Sequence, residues 1–494
     1  MGDRDLRNLS IIGLAALLMA CGGGGTSSPA PVQSPGTPPP AAEQPIVPVV
    51  GEARVLARDF NSYNFNVLQV ANNTGDPALI AGLRALNVGS LRVPGGTLGE
   101  YWDWQRGGIR TGPYPGLPDP APFSAEIQAL SGLTPTVVDR LLDDVGTPAL
   151  FTANVLTASV DENLADIRAF RALGQPLARV ALGNEEYFRL RNPAARFPTA
   201  RDYGLYAADL AGRIRSEVPN TRLAVIAPSP LRNTGISYDD WMAGLEASGV
   251  LPAVDAVTIH PYFDTRALAP LASPASGEAA VAAMIAHDND YLARIEARLP
   301  PGKGIWITEW NVFEDQAAPV SGGSWLIAVA NLARAVNFMA NPRVELSSLH
   351  VAVGNRQWSA LTGADGLAID YSGAQPRVVT GAPFTLTANG ETLALLGAAT
   401  RGGGSTRRLT LVAAGSTRPL LGARVTAADG VTRDLFVNAS ATPATIRASG
   451  RALLLGGTFD RGTVGNQTLQ RTQLDITDNQ LTLPAFSVAL VEQR

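Results

Sequence analysis

Two glutamates in this sequence stand where strongly apolar runs end. Val180-Ala-Leu-Gly-Asn-Glu-Glu-Tyr187 leads into an Asn184-Glu185 pair, and Ile305-Trp-Ile-Thr-Glu-Trp-Asn311 carries Glu309 at the equivalent place. An unpaired charge beside such a run is costly, so a carboxylate kept there has either a partner or a task. Two carboxyls in one cleft suit the cleavage of a sugar acetal. The leaving oxygen needs a proton, and the oxocarbenium-like centre needs negative charge beside it. Glu186 competes with Glu185 for the first position. Consecutive strand residues point to opposite faces, so only one of the two addresses a cleft, and the Asn-Glu pairing selects Glu185.

The elements that must bring these residues together are strands joined by helices. Eight β-branched or apolar segments are expected as strands: Asn64–Val70, Val88–Val93, Ala149–Val155, Arg179–Asn184, Arg222–Ala227, Ala256–His260, Gly304–Glu309 and Glu345–Val353. Between them run stretches of helical period, Pro77–Leu86, Val137–Asp144, Asp161–Leu173, Asp202–Val218, Ala279–Leu299 and Ser324–Met339, several opened by Asp, Ser or Thr caps. The alternation predicts an α/β protein, a (β/α)8 TIM barrel, whose active site is built from the carboxyl ends of its strands. An open doubly wound sheet shares the alternation, but no glycine-rich dinucleotide loop follows the first strand. Beyond Tyr371 the texture changes to short alternating segments. Asn389-Gly390 and Asp429-Gly430 read as hairpin turns, and Gln480–Val491 reads as a last strand interrupted by Pro484. The expected second unit is an antiparallel β-sandwich, to which residues near Ala53–Asp59 add a strand.

At this point the motifs resemble a known group. Gly183-Asn184-Glu185 and Thr308-Glu309-Trp310-Asn311 look like clan A glycoside hydrolases. Leu91-Arg92-Val-Pro-Gly-Gly96, followed by Tyr101-Trp-Asp-Trp104, is similar to the second-strand segment of family 51 α-L-arabinofuranosidases, and so is His260-Pro-Tyr262 after the sixth strand. Family 79, with its β-glucuronidases and heparanase-like enzymes, has the same catalytic layout. The similarity covers roughly residues 60 to 355. It implies a retaining mechanism with Glu185 as acid/base and Glu309 as nucleophile. Asn184 would bond the hydroxyl next to the reacting carbon, Arg92 and Tyr262 would orient the nucleophile, and His260 would lie beside them. The first strand, Asn64-Phe-Asn-Val-Leu-Gln69, lacks the acidic residue that family 51 often shows there.

Further candidates come from position alone. Asn154 closes the third strand and is expected either to reach the cleft or to cap backbone. Trp310 is a candidate sugar contact, and Trp102, Trp104 and Trp358 are equally suited to stacking or to core packing. Histidines 260, 287 and 350 have no zinc-ligand spacing, so neither a metal nor a cofactor is expected.

The first residues set an expected location. Arg4 and Arg7 precede an apolar run that ends Leu18-Met19-Ala20-Cys21, which resembles a bacterial lipoprotein signal over 1–20 with lipidation at Cys21, the single cysteine. Gly22 after the cysteine favours the outer membrane by the same resemblance. Residues 21–50 are rich in Gly, Ser and Pro and read as a tether, 51–375 as the catalytic barrel and 376–494 as the sandwich. A net charge of −4 gives no basic field for nucleic acid. The expected partners are a poly- or oligosaccharide and a membrane reached through the lipid, with oligomeric state open. Two classes of function fit: a glycosidase of extracellular glycans, arabinofuranosidase or β-glucuronidase-like, and a non-catalytic glycan-binding surface lipoprotein.

Overall fold

A computed structural model describes residues 44–493, apart from 233, 270, 314–322, 355–358, 371–376, 381, 413–415 and 460–468. Cys21 and Trp358 therefore lie outside the described residues. Eight parallel strands close into a barrel in the order Asn61–Asn64, Ser90–Val93, Ala149–Thr152, Arg179–Leu182, Arg222–Ile226, Ala256–Ile259, Gly304–Trp310 and Val344–His350, the last pairing with the first. Nearly every strand residue is buried, as expected where side chains fill the barrel on one face and meet helices on the other. The helices start where short polar side chains take up free N–H groups. Ser159 with Glu162 and Thr199 with Asp202 form capping boxes, and Ser324 accepts from the Ile327 N–H.

The barrel has two unlike ends. At its amino-terminal mouth Glu345 accepts from Arg179 at 2.8 Å, Arg222 at 2.7 Å and the Trp306 indole at 2.9 Å, and Arg179 also pairs with Asp59. This charge-paired plug leaves the carboxyl ends of the strands as the working face.

Three expectations are corrected. The first strand is Asn61–Asn64 instead of Asn64–Val70, because the Asn66 side chain accepts from the Leu68 N–H and starts a 3-10 turn at Val67–Val70. Asn389-Gly390 is not a hairpin: it lies in the first turn of a helix, Ala388–Thr400, opened by the Thr387 side chain. That helix packs on Trp325–Ala340 and against the first barrel strand. The tail is two strands in two layers, since Gln480–Leu483 pairs with Ala444–Arg447 while Ser487–Glu492 joins the large sheet.

The large sheet is antiparallel, with strands in the order Val49–Leu56, Gly404–Thr410, Leu420–Ala427, Thr432–Asn438, Ser487–Glu492, Gly450–Gly456 and Gln470–Ile476. Val49–Leu56 thus precedes the barrel in sequence but belongs to this sheet. Asp429-Gly430 does form the expected hairpin turn, with Gly430 at φ +79°. Leu409, Phe436, Ile446, Leu481, Leu483 and Val491 fill the space between the two layers. The indole of Trp325 donates to Phe486 O at 2.6 Å and ties the sheet to the barrel's helix ring. Among the described residues no helix is long and apolar enough to cross a membrane.

Candidate active site

Glu185 and Glu309 meet at the carboxyl end of the barrel. Glu309 lies in the seventh strand with its side chain turned inward, held by four neighbours. Arg92 from the second strand donates to Oε1 at 2.5 Å, and Asn64 from the first donates to the same oxygen at 2.9 Å. The Tyr262 hydroxyl donates to Oε2 at 2.9 Å, and His350 Nδ1 lies 3.6 Å from Oε2. Burial alone would push this carboxyl up. The histidines, the Arg92 guanidinium and the Tyr262 hydroxyl outweigh it and hold Glu309 at about 2. His350 takes an Asn64 N–H at 3.0 Å, which uses the Nδ1 lone pair, and burial lowers its proton affinity. The fixed positive partner of Glu309 is therefore Arg92, whose guanidinium is always charged. Tyr262 is pushed well up by burial and by the nearby carboxylates, so it stays a donor.

Glu185 has a different setting. Its φ is +56°, in the left-handed region, directly after Gly183 at φ +105° and Asn184. His260 Nδ1 lies 2.7 Å from Glu185 Oε1, and the Tyr187 hydroxyl donates to the same oxygen at 3.0 Å. The Glu185 side chain is 23% exposed against 8% for Glu309. One residue is thus locked as an anion, and the other faces the opening with partners that accommodate either protonation state. The same His260 nitrogen is 2.7 Å from Glu185 and 3.9 Å from Glu309 Oε2, so those two oxygens are no farther apart than the two distances laid end to end. That limit is compatible with the about 5–5.5 Å between the carboxyl groups of retaining glycosidases.

The remaining candidates divide. Arg92 bridges the site by donating also to Asn184 Oδ1 at 2.8 Å, and His260 Nε2 is 3.0 Å from the Thr308 hydroxyl. The 260–262 turn is braced from behind by Arg334, which donates to Pro261 O at 2.7 Å and pairs with buried Asp288. Asn154 does not join the cluster. Its amide donates to Trp102 O and Thr157 Oγ1, and its carbonyl accepts from the Thr157 and Ala158 N–H groups, the capping alternative. Trp310 also points elsewhere. Glu309 faces inward, so its neighbour in the strand faces the helices, where the indole packs edge-on to Phe338 at 5.3 Å and under Arg334 at 5.2 Å. Trp102 and Trp104 are core residues, the latter 4.7 Å from the Phe170 ring. Trp310→Phe should therefore lower the melting temperature and leave KM unchanged; a several-fold rise in KM without a change in melting would restore a sugar contact.

Asn64 and His350 were not among the expected site residues. They are partners across the seam that closes the barrel. Gly96, at the end of the second-strand loop, is required by space: a Cβ there would fall on Glu309 Oε1 and 3.4 Å from Asn184 Oδ1. Gly96→Ala should displace the Glu309 carboxylate and reduce kcat/KM by on the order of 10²-fold, as small displacements of reacting groups do. Retention of full activity would show that the loop yields freely. Among the described residues no three His, Cys, Asp or Glu side chains are grouped to hold a metal.

No protein family profile and no curated protein matches the sequence. Solved structures do. A family 51 α-L-arabinofuranosidase from Bifidobacterium longum superposes with TM-score 0.63 at 16% identity, over 91% of this chain and 99% of that one. A GH51 arabinofuranosidase from Xanthomonas axonopodis pv. citri gives 0.62 at 14% identity, over 92% and 100%. A 4-O-α-L-rhamnosyl-β-D-glucuronidase from Fusarium oxysporum gives 0.61 at 16% identity, over 90% and 99%. The barrel with its accompanying β-sheet is the fold these proteins share.

Proposed function

We propose that this chain is a retaining glycoside hydrolase that cleaves O-glycosidic bonds of extracellular glycans. The observation that carries the proposal is the pair of strand-end carboxylates set around one imidazole nitrogen, 2.7 Å from Glu185 and 3.9 Å from Glu309, one held ionised at about 2 and the other reachable from solvent. Glu309 attacks the anomeric carbon as Glu185 protonates the departing oxygen. The resulting glycosyl ester is then hydrolysed by water, from which Glu185 takes back a proton. Arg92, Asn64 and Tyr262 hold the attacking carboxylate in place, and Asn184 is left to bond the hydroxyl beside the reacting carbon. The names of the similar structures make arabinofuranosides the first substrates to try and glucuronides the second.

Turnover of a panel of nitrophenyl arabinofuranosides, xylosides, glucosides and glucuronides, with the anomer of the first product followed by NMR, tests this reading. Retained configuration supports it. Inversion removes the nucleophile role, and binding without turnover makes the protein a glycan-capturing receptor. We further propose that the protein is an outer-membrane lipoprotein anchored through Cys21, with the residues between Cys21 and Ile46, where the chain pairs with the β-rich unit, as tether. Cys21→Ser should move it from the membrane to the soluble fraction, and unchanged partition would reject the anchor.

A further inference from the structure

A second pair of acids lies directly behind the first. Glu186 is fully buried and Glu100 is 4% exposed. Glu186 Oε1 accepts from the Asn184 N–H at 3.2 Å, folding back beneath the Gly183-Asn184-Glu185 turn. Gly183 has no room for a side chain there, since a Cβ would meet both Glu186 oxygens at 2.8 Å and Val155 at 2.7 Å. Glu100 comes from the 3-10 turn Thr97–Tyr101 that follows Gly96, and its backbone carbonyl accepts from Thr157 Oγ1 at 2.7 Å. Among the described residues, Glu100 Oε1 and Glu186 Oε2 receive no N–H or O–H from any other group. With both carboxyls buried and these two oxygens otherwise without a donor, a hydrogen bond between the side chains requires a proton between them.

We infer that Glu100 and Glu186 share one proton and act as a positioning pair for Glu185, bracing its left-handed turn and placing one negative charge beneath it. The inference rests on the glycosidase reading for its consequence but not for the pair itself. Burial pushes Glu100 well up, helped by repulsion from Glu186, and burial raises Glu186 while the Glu100 hydrogen bond lowers it. Burial thus holds a proton on the pair, more strongly on the Glu100 side. The groups facing this pair are Glu185, Arg92, Tyr203 and Tyr101. Tyr203 spends its hydroxyl proton on Leu182 O at 2.6 Å, and Arg92 is committed to Glu309 and Asn184, so neither neutralises Glu186 by direct contact. The remaining negative charge lies beneath the turn that carries Glu185, whose own charge raises both members of the pair.

Near-isosteric variants separate charge from shape. Glu100→Gln still donates to Glu186 and keeps one negative charge, whereas Glu100→Gln combined with Glu186→Gln removes it, because no acid of the pair is left to ionise. With a substrate whose leaving group needs protonation, the alkaline limb of kcat/KM should fall by about one pH unit in the double variant and stay in place in Glu100→Gln. An unmoved limb in the double variant, or equal movement in both, overturns the inference, as does an equal loss at every pH. The second measurement needs no substrate. The difference infrared spectrum of wild type minus Glu100→Gln at neutral pH should contain the carbonyl band of a protonated carboxylic acid, and its absence overturns the shared proton. A wild type inactive on every sugar would fail the glycosidase reading, and the infrared band would still decide whether the pair shares a proton.

Discussion

Glu309→Ala should lower the turnover of aryl glycosides by on the order of 10⁴–10⁶-fold, and azide should restore it with formation of a glycosyl azide of inverted anomeric configuration. The truncation opens space on the face from which the carboxylate attacks, and a small anion can enter it. Arg92 then supplies the attraction. It is 1% exposed and loses its ion-pair partner, although it keeps Asn184 Oδ1 at 2.8 Å. Leaving a buried charge half-paired costs about 3–5 kcal/mol, so this variant should also melt earlier than Glu309→Gln, whose amide oxygen still accepts from Arg92. The loss of activity must exceed that difference in stability and appear in both variants. Because Glu309 is held at about 2, wild-type kcat/KM should show no loss from nucleophile protonation between neutrality and roughly pH 4. Full turnover by Glu309→Ala would remove the residue from the chemistry.

How much of the site is legible in the sequence follows from how local each signal is. Glu185 and Glu309 are legible because each ends an apolar run, and strand-end position is written in the run itself. Arg92, His260 and Tyr262 are legible only through motifs. Asn64 and His350 are not, since they reach Glu309 through the pairing of the last barrel strand with the first, a register that joins residues 61–64 to 347–350. The helix Ala388–Thr400 is hidden for another reason. It is buried on almost every side, so it lacks the polar face that gives a helix its period. Its Asn389-Gly390 looks like a turn, yet Gly390 is there because Ala360 O occupies the place of a side chain, and Gly397 because Leu86 O does. Small residues chosen for close packing and small residues chosen for turns look identical in one dimension. Trp310 is misplaced by its motif, although strict alternation from Glu309 already sends it outward.

Glu185→Ala should give the complementary pattern. General acid assistance contributes about 10²–10⁴-fold, and a leaving group that departs readily as an anion does not need it. The variant should therefore cleave dinitrophenyl glycosides at a first step close to wild type while losing nearly all action on natural linkages. The structure gives the reason for this selectivity. Arg92 reaches Glu309 and Asn184, whereas the partners of Glu185 are the Tyr187 hydroxyl and His260 Nδ1, and its side chain faces the opening. A group that must release and then recover a proton in each cycle cannot be locked by a permanent counter-charge. With Glu185→Ala the covalent intermediate still forms on Glu309, so azide attacks it from the side the missing carboxyl occupied and yields a glycosyl azide of retained configuration. The same reagent thus produces opposite anomers in the two variants. Identical products, or an equal loss across leaving groups, would mean that the roles of the two carboxylates have been assigned to the wrong residues.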